Sequence, residues 1–269
     1  MIYTKNQANE QILEFIYRKK TSFISREEVI FFKNLIKICD INIQDKMGWN
    51  PVMFLIYRNS SLNFQTDEIE DFLNKVNLNQ QNKDGFTVIM FLLYFNKTEN
   101  IHFTNTKIYN LLNTANFNIK NNFGANYLNI LIMRNKSAGL YLDENQMMDL
   151  ISRVNINEHI DREGNTIYSL LLRLRQRENI ELSVNYLKDL WKKLDKKNKY
   201  DTIKNIGIWD NEALDAIHFL VFELGIHLHK NIQNLLKKST KNTFLKTIEK
   251  RNLMIELEEK IKSSNIKKI

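Results

Sequence analysis

A glycine recurs at a nearly constant interval and constrains the possible fold more than any other feature of the sequence. Gly48, Gly85, Gly124 and Gly164 are separated by 37, 39 and 40 residues, although the 269-residue chain has only seven glycines. Each glycine closes a short phrase that begins with asparagine or isoleucine and is rich in polar residues. An interval of roughly 20–50 residues is typical of repeat architectures, in which each unit buries its apolar face against its neighbours. We therefore expect an array of about four central repeats.

The residues after each glycine predict a pair of helices. A side chain suited to N-cap a helix stands two residues after each glycine. These side chains are Asn50, Thr87, Asn126 and Thr166. An apolar run then predicts a first helix, and a polar connector leads to a second helix that begins near residues 66, 104, 143 and 182. Each unit thus has the composition of two short helices that follow a tight turn.

These phrases resemble the ankyrin repeat family, whose unit is a loop, two antiparallel helices and a hairpin-like finger. The best match to the family phrase Asp-x-x-Gly-x-Thr-Pro-Leu spans Asp45 to Val52 and places Pro51 at the family's proline position. The resemblance covers about residues 41–190, with units four to seven residues longer than the usual 33 or so. Large residues replace the family's small alanine pair on the first helix. The resemblance implies an all-α, ankyrin-like helical-pair solenoid with short finger turns and helical caps at both ends; a generic helical-pair solenoid is the second interpretation.

The pattern divides the chain into three parts. Residues 1–40 contain the capping box Ser25 to Glu28 ahead of an apolar stripe and are expected to form an N-terminal helical cap. Residues 41–190 hold the divergent ankyrin-like repeats. Residues 191–269 are expected to form a C-terminal helical region with a basic tail. From residue 230 onward, ten lysines and one arginine face four glutamates, so this tail carries +7 of the net charge of +8.

The sequence offers no recognisable chemistry for catalysis. It contains no P-loop, Gly-x-Gly-x-x-Gly, His-Glu-x-x-His or Cys-x-x-Cys motif. His227 and His229 flank Leu228, and alternate residues point away from one another in a helix or a strand, which is poor geometry for a metal. The single Cys39 lies at an apolar helix end, which favours a buried, inert thiol. We expect no enzymatic activity, no cofactor and no metal.

The cysteine count, the start of the chain and the apolar runs indicate the cellular compartment. A single cysteine cannot form an intramolecular disulfide, which favours a reducing environment. The start of the chain lacks the pattern of a Sec signal peptide, and no run of about 18 apolar residues predicts a membrane span. A short acidic cluster near the end, Glu256 to Glu259, resembles the translocation signal of type IV secretion effectors; the simpler explanation is that many ordinary helices carry Glu near Lys at i,i+4 for solubility. We expect a cytoplasmic protein, or one exported into a host cell without a Sec signal peptide.

Large apolar side chains beside the repeat glycines are the candidate partner-binding residues. In ankyrin-like stacks, such turn positions project as finger tips along one edge of the concave face, and a line of aromatic residues there would form an exposed patch. With the neighbouring cations, the predicted set is Lys46, Met47, Trp49, Lys83, Phe86, Phe123 and Arg162. The alternative is that these divergent turns fold inward and bury their aromatic residues. The frequent asparagines are interpreted as a consequence of AT-rich coding DNA.

The sequence favours a monomeric, non-enzymatic module that binds a partner protein through its finger tips and its concave first-helix face. A secreted effector that acts on a host protein is a further hypothesis. The alternative function is binding of nucleic acid or an anionic surface through the basic tail. Phe244 is the tail's only aromatic residue, which disfavours base stacking on single strands. We expect no integral contact with a membrane.

Overall fold

The computed structural model describes residues 3–160, 165–175 and 177–205, together with positions 216 and 220. Over the three ranges the chain forms twelve α-helices and no strand, so the predicted all-α class is confirmed. The helices are α1 (Lys5–Lys19), α2 (Arg26–Ile36), α3 (Pro51–Tyr57), α4 (Asn59–Leu62), α5 (Thr66–Leu73), α6 (Val88–Phe95), α7 (Asn105–Asn113), α8 (Tyr127–Arg134), α9 (Glu144–Ser152), α10 (Ile167–Leu174), α11 (Val184–Lys193) and α12 (Lys196–Asn205). The chain divides into two compact units, Met1–Val154 and Asn155–Ile269.

The first unit opens with the helix pair α1 and α2. The predicted capping box is present: the Ser25 hydroxyl accepts the backbone N–H of Glu28, and the Glu28 carboxylate accepts the backbone N–H of Ser25. The two helices pack on each other, and α1 also packs on α3. Aromatic contacts join them, because the Phe54 ring of α3 lies 5.9 Å from Phe15 and 5.3 Å from Phe32. The N-terminal pair therefore covers one side of the helix that follows it.

The first helix of each predicted repeat begins where the sequence indicates. Asn50, Thr87 and Asn126 each accept the backbone N–H of the residue three positions later, and in the second unit Thr166 does the same for α10. Pro51 occupies the first turn of α3, where its missing N–H costs no helical hydrogen bond. α3 packs on α6 and α6 packs on α8. The three helices are buried along most of their length and form the centre of the first unit.

The second helix of each repeat is less buried than the first and lies partly in solvent. α5, α7, α9 and α11 start within two residues of the positions predicted for them. In the second unit, α10 and α11 are joined through Tyr168, whose hydroxyl donates to the Leu187 carbonyl oxygen at 3.1 Å and whose ring lies 5.5 Å from Trp191. α12 packs on α10 and places Thr202 within 3.5 Å of the Thr166 hydroxyl. The basic tail and the fourth repeat glycine lie outside the described residues.

Buried asparagines hold the connectors of this fold together. Buried Asn59 bonds both backbone groups of Phe64, accepting from its N–H and donating to its carbonyl oxygen. Asn96, which stands at the same place after α6, does the same for Phe103 and also donates to the Ala138 carbonyl oxygen at 2.8 Å. A polar side chain buried in this way satisfies backbone groups that the helices leave unpaired.

None of the helices in the described part of the chain combines the length and apolar character needed to cross a bilayer.

Candidate binding surface

Three consecutive glycine turns are closed by the same hydrogen bonds. In the first turn (residues 45–49), the Asp45 carboxylate accepts the backbone N–H groups of Met47 and Trp49, each at 2.8 Å. Asn82 and Asn121 accept the equivalent pairs in the second turn (residues 82–86) and the third turn (residues 121–125). The three glycines have positive φ, from 78° to 86°, as tight turns require. Each turn is therefore held in one conformation by its own first side chain.

Adjacent turns are also joined backbone to backbone. The N–H of Lys83 donates to the carbonyl oxygen of Met47 at 2.9 Å, and the N–H of Asn122 donates to that of Asp84 at 3.0 Å. Both bonds connect the same pair of positions in successive turns. The turns consequently follow one another in a fixed register, and side chains at their tips lie side by side.

The aromatic residues that follow the first two glycines lie back on the first helices. The Trp49 ring is half-buried, 4.7 Å from Phe91 and 5.3 Å from Tyr57. The Phe86 ring is also half-buried, 5.8 Å from both Phe91 and Tyr94. Neither projects as a free finger tip, and neither is enclosed in the core. Each is an intermediate case between the two sequence-based expectations.

Phe123 differs from these two in position and in exposure. It precedes its glycine, as Met47 does, whereas Trp49 and Phe86 follow theirs. The expected line of aromatic residues therefore does not occupy one position of the repeat. Phe123 is 72% exposed and Met47 is 42% exposed. The Phe123 ring nevertheless lies 6.4 Å from Phe86, so it extends the same surface. The third turn has Ala125 after its glycine, which leaves no ring to fold back there.

Together with side chains of α3 and α6, these residues form a continuous aromatic face. The aromatic face consists of Trp49, Tyr57, Phe86, Phe91, Tyr94, Phe95 and Phe123. Each ring in it lies within 6.5 Å of at least one other, and Phe91 is the only one of the seven that is fully buried. Sequence reasoning missed Tyr57 and Tyr94, although each stands nine residues after its glycine, a spacing that could have identified them.

Cationic groups lie over two rings of the aromatic face. The Lys20 ammonium is 4.7 Å from the centre of the Trp49 ring and 2.8 Å from the Asp45 carboxylate beneath it. The Arg134 guanidinium is 5.5 Å from the centre of the Tyr94 ring and donates to the Tyr94 carbonyl oxygen at 3.2 Å. Such contacts are typical of cation–π pairs. Burial raises the pKa of the Tyr94 phenol, which therefore stays neutral at physiological pH.

The lysines predicted as partner-binding residues are at the rim. Lys46 and Lys83 are exposed at equivalent places in the first and second turns. Within the described ranges, neither forms an ion pair. Asp84 is exposed beside Lys83, whereas the Asp45 side chain is only 2% exposed and pairs with Lys20. The predicted residue Arg162 lies outside the described residues. The structure thus brings six of the seven predicted residues to one turn-lined surface, and their binding role stays a prediction.

Outside the aromatic face, the described residues include few reactive or metal-binding side chains. Cys39 is 9% exposed, and burial, reinforced by the Asp40 carboxylate, raises the pKa of its thiol to about 12. It is therefore a poor nucleophile at neutral pH. An open groove of about 530 Å³ lies next to it between the ends of α2 and α5, lined by both lysines and carboxylates. Across the described ranges, no group of three or more histidine, cysteine and acidic side chains has the geometry of a metal site.

No protein-family model matches the sequence, and no curated protein matches it. The chain is similar to a chain in the solved structure of the predatory endopeptidase Bd0816 from Bdellovibrio bacteriovorus in complex with the immunity protein Bd3460. The TM-score is 0.42 and the identity is 18%, over 80% of this chain and 94% of that one. A similarity of this size carries no argument about function. The resemblance to ankyrin repeats stays a prediction.

Proposed function

We propose that this protein is a non-enzymatic protein–protein interaction module, built as an ankyrin-like solenoid, that binds a partner protein on its aromatic face. The stacking is supported by hydrogen bonds that join equivalent positions of successive units. These include the two turn-to-turn backbone bonds, and the bonds that the backbone N–H groups of Asn77 and Asn116 donate to the Asn42 and Asn79 side chains. Repeated contacts between like positions are what a stack of similar units produces.

The observation that carries the proposed function is the continuous aromatic face with Phe123 and Met47 exposed at its edge. Aromatic and methionine side chains are enriched in protein interfaces, and a few of them dominate the binding free energy where a partner removes them from water. Here the half-buried rings are packed against one another, so a partner would meet a surface that is already formed. A preformed surface loses little conformational entropy on binding.

The first experiment tests whether a partner lies at Phe123. We replace Phe123 with the photo-crosslinking residue p-benzoylphenylalanine in the full chain, in cells that express the protein. We expect a specific adduct upon irradiation. Tyr141, which is 48% exposed and lies outside the aromatic face, receives the same residue as a matched control. Equal crosslinking at both positions, or none at Phe123, would contradict the proposal.

A second experiment separates binding from stability. Phe123→Ala should weaken capture of the crosslinked partner and leave the melting temperature unchanged, because the side chain is mostly in solvent. Trp49→Ala should lower the melting temperature, since its ring packs on Phe91 and lies under the Lys20 ammonium. The exposed residue is thus the informative one for function. Intact capture by Phe123→Ala would show that the aromatic face is not the contact surface.

Export of the protein as an effector rests on the acidic cluster of Glu256 to Glu259, which lies outside the described residues. Identification of the crosslinked partner tests this hypothesis as well. A host protein would support it, and a partner from the producing cell would count against it.

A further inference from the structure

The charge around the aromatic face is predominantly positive. Lys46 and Lys83 stand in the turns at one edge, and Arg134 ends α8 beside Tyr94. The Nε atom of Arg134 is buried and has no hydrogen-bond partner among the described residues. The guanidinium itself is charged and only partly buried, so a carboxylate that approaches Arg134 would be attracted to it.

The carboxylates close to the aromatic face are mostly engaged. Asp45 is buried and pairs with Lys20. Glu99, which follows α6, accepts hydrogen bonds from the backbone N–H and the hydroxyl of Ser60. In the first two turns, Asp84 is exposed and is not paired with a cation of the described residues, in contrast to Asp45. Apart from the Lys20–Asp45 pair, the cations Lys46, Lys83 and Arg134 outnumber the carboxylates of Asp84 and Glu99, which leaves an excess of positive charge that attracts negative groups.

The geometry points to a partner segment in which a large apolar side chain is flanked by carboxylates. The apolar side chain would lie on the aromatic face next to Phe123 and Met47, and the carboxylates would reach Lys46 and Lys83 at one edge and Arg134 at the other. Apolar burial supplies most of the affinity, and charge complementarity sets specificity and the rate of encounter. This inference rests on the proposed function and names the chemistry of its partner.

The packing of the rings favours a peptide over a single-stranded nucleic acid. Bases stack on the open faces of aromatic side chains. The Trp49 and Phe91 planes meet at 64°, and the Phe86 and Phe123 planes meet at 70°. Rings that pack edge to face in this way cover part of one another and do not offer a row of parallel platforms. Spaces between such rings suit aliphatic or aromatic side chains instead.

The test uses random peptides of about twelve residues, displayed on phage and selected on the immobilised full-length protein. A parallel selection uses the Phe123→Ala, Met47→Ala double variant. We expect peptides that depend on these two residues to be enriched in aspartate or glutamate beside leucine or an aromatic residue. Phe123-dependent peptides that are neutral or basic would overturn the inference and leave the proposed function standing. Absence of any Phe123-dependent peptide, with no adduct at Phe123, would contradict the proposed function itself.

A direct measurement checks the role of the lysines. An enriched peptide is labelled and its dissociation constant is measured by fluorescence anisotropy. We expect Lys46→Ser with Lys83→Ser to weaken binding about tenfold, because two exposed charge pairs at ~0.7 kcal/mol each give the ~1.4 kcal/mol of a tenfold change. The matched control is Lys37→Ser with Lys75→Ser, which removes the same charge from exposed positions beside α2 and α5. Equal weakening in both double variants would overturn the inference, because it would show that only net charge matters.

A third probe separates the two classes of macromolecule. Labelled oligo-dT replaces the peptide in the same assay. We expect binding at least tenfold weaker than that of the acidic peptide, in keeping with the edge-to-face packing of the rings. Tight oligo-dT binding that Phe123→Ala abolishes would overturn the inference in favour of a nucleic-acid surface.

Discussion

At the scale of single residues, the turn glycines are required for two separate reasons. The first is the left-handed backbone, with φ of 78° at Gly48 and 79° at Gly85. The second is the backbone of the next turn. A Cβ atom on Gly85 would lie 2.7 Å from the Asn121 Cα, and one on Gly48 would lie 2.8 Å from the Asn82 Cα. Gly139 shares the positive φ, but a Cβ there would first meet the flexible Lys97 side chain at 3.1 Å.

This difference gives a prediction with an internal control. Gly85→Ala should lower the free energy of unfolding by more than Gly139→Ala. The conformational cost of the left-handed region, about 1–2 kcal/mol, applies to both substitutions. Only Gly85→Ala adds a clash with backbone atoms, for a total of about 3 kcal/mol or more. Urea unfolding followed by circular dichroism measures both variants. Equal losses would mean that the neighbouring turn moves away at no cost.

The buried thiol gives a prediction about pH. Burial raises the pKa of Cys39 from 9.0 to about 12, so the thiol remains protonated in the folded chain at a pH where the unfolded chain carries a thiolate. Folding is then opposed as pH rises through 9 towards 12, and unaffected below that window. At pH 9, iodoacetamide should modify the native protein far more slowly than the urea-unfolded protein. Similar alkylation rates in the two states would show that Cys39 is accessible and ionised in the native protein.

At the scale of elements, the starts of the two helices of each repeat could be predicted, whereas α4, α12 and the aromatic face could not. An N-cap is a local signal, because Asn50 or Thr87 contacts a backbone group only three residues away. The aromatic face depends on distances between rings from different units, such as Phe86 and Phe123. Sequence spacing alone does not say whether a ring beside a glycine turns outward or lies back on its helix. The sequence alone could therefore not predict that Phe123 is exposed while Trp49 is half-buried.

The connector asparagines yield a prediction at this scale. Asn96→Ala should destabilise the protein by about 3 kcal/mol, because it leaves buried backbone groups of Phe103 and Ala138 without partners. Asn105 makes similar bonds to both backbone groups of Tyr141, but near solvent. Asn105→Ala should cost about 1 kcal/mol or less, since water can replace the side chain. Thermal unfolding of the two variants compares them. A larger loss for Asn105→Ala would contradict this account of the connectors.

At the scale of the whole molecule, charge and aromatic surface are separated along the chain. The aromatic face belongs to the first unit, whereas most of the net positive charge belongs to residues 230–269. The proposed function and its alternative therefore rest on different parts of the sequence. Variants of one part can be tested without altering the other.

Deletion of residues 241–269 tests the alternative function. This segment carries eight basic and four acidic side chains, so its removal lowers the net charge from +8 to +4. We expect the truncated protein to leave a heparin column at a lower salt concentration, because fewer counterions are released on binding. Cooperative unfolding by circular dichroism serves as the control for folding. Aggregation or loss of cooperativity would show that the segment instead shields the core, as a terminal repeat does.

The turn-to-turn bonds also bear on how such a chain can change in length over evolution. In both turns the residue before the glycine accepts a hydrogen bond from the next turn through its carbonyl oxygen. Met47 accepts from the N–H of Lys83, and Asp84 accepts from the N–H of Asn122. Excision of residues 48–84 by recombination within the gene would join Met47 to Gly85, and the Met47 carbonyl oxygen would meet the N–H of Asn122 in place of that of Lys83. Insertion of a further unit would present the same donors and acceptors. The number of repeats can therefore change while the donors and acceptors between neighbouring turns still pair. The aromatic face would become longer or shorter with that number.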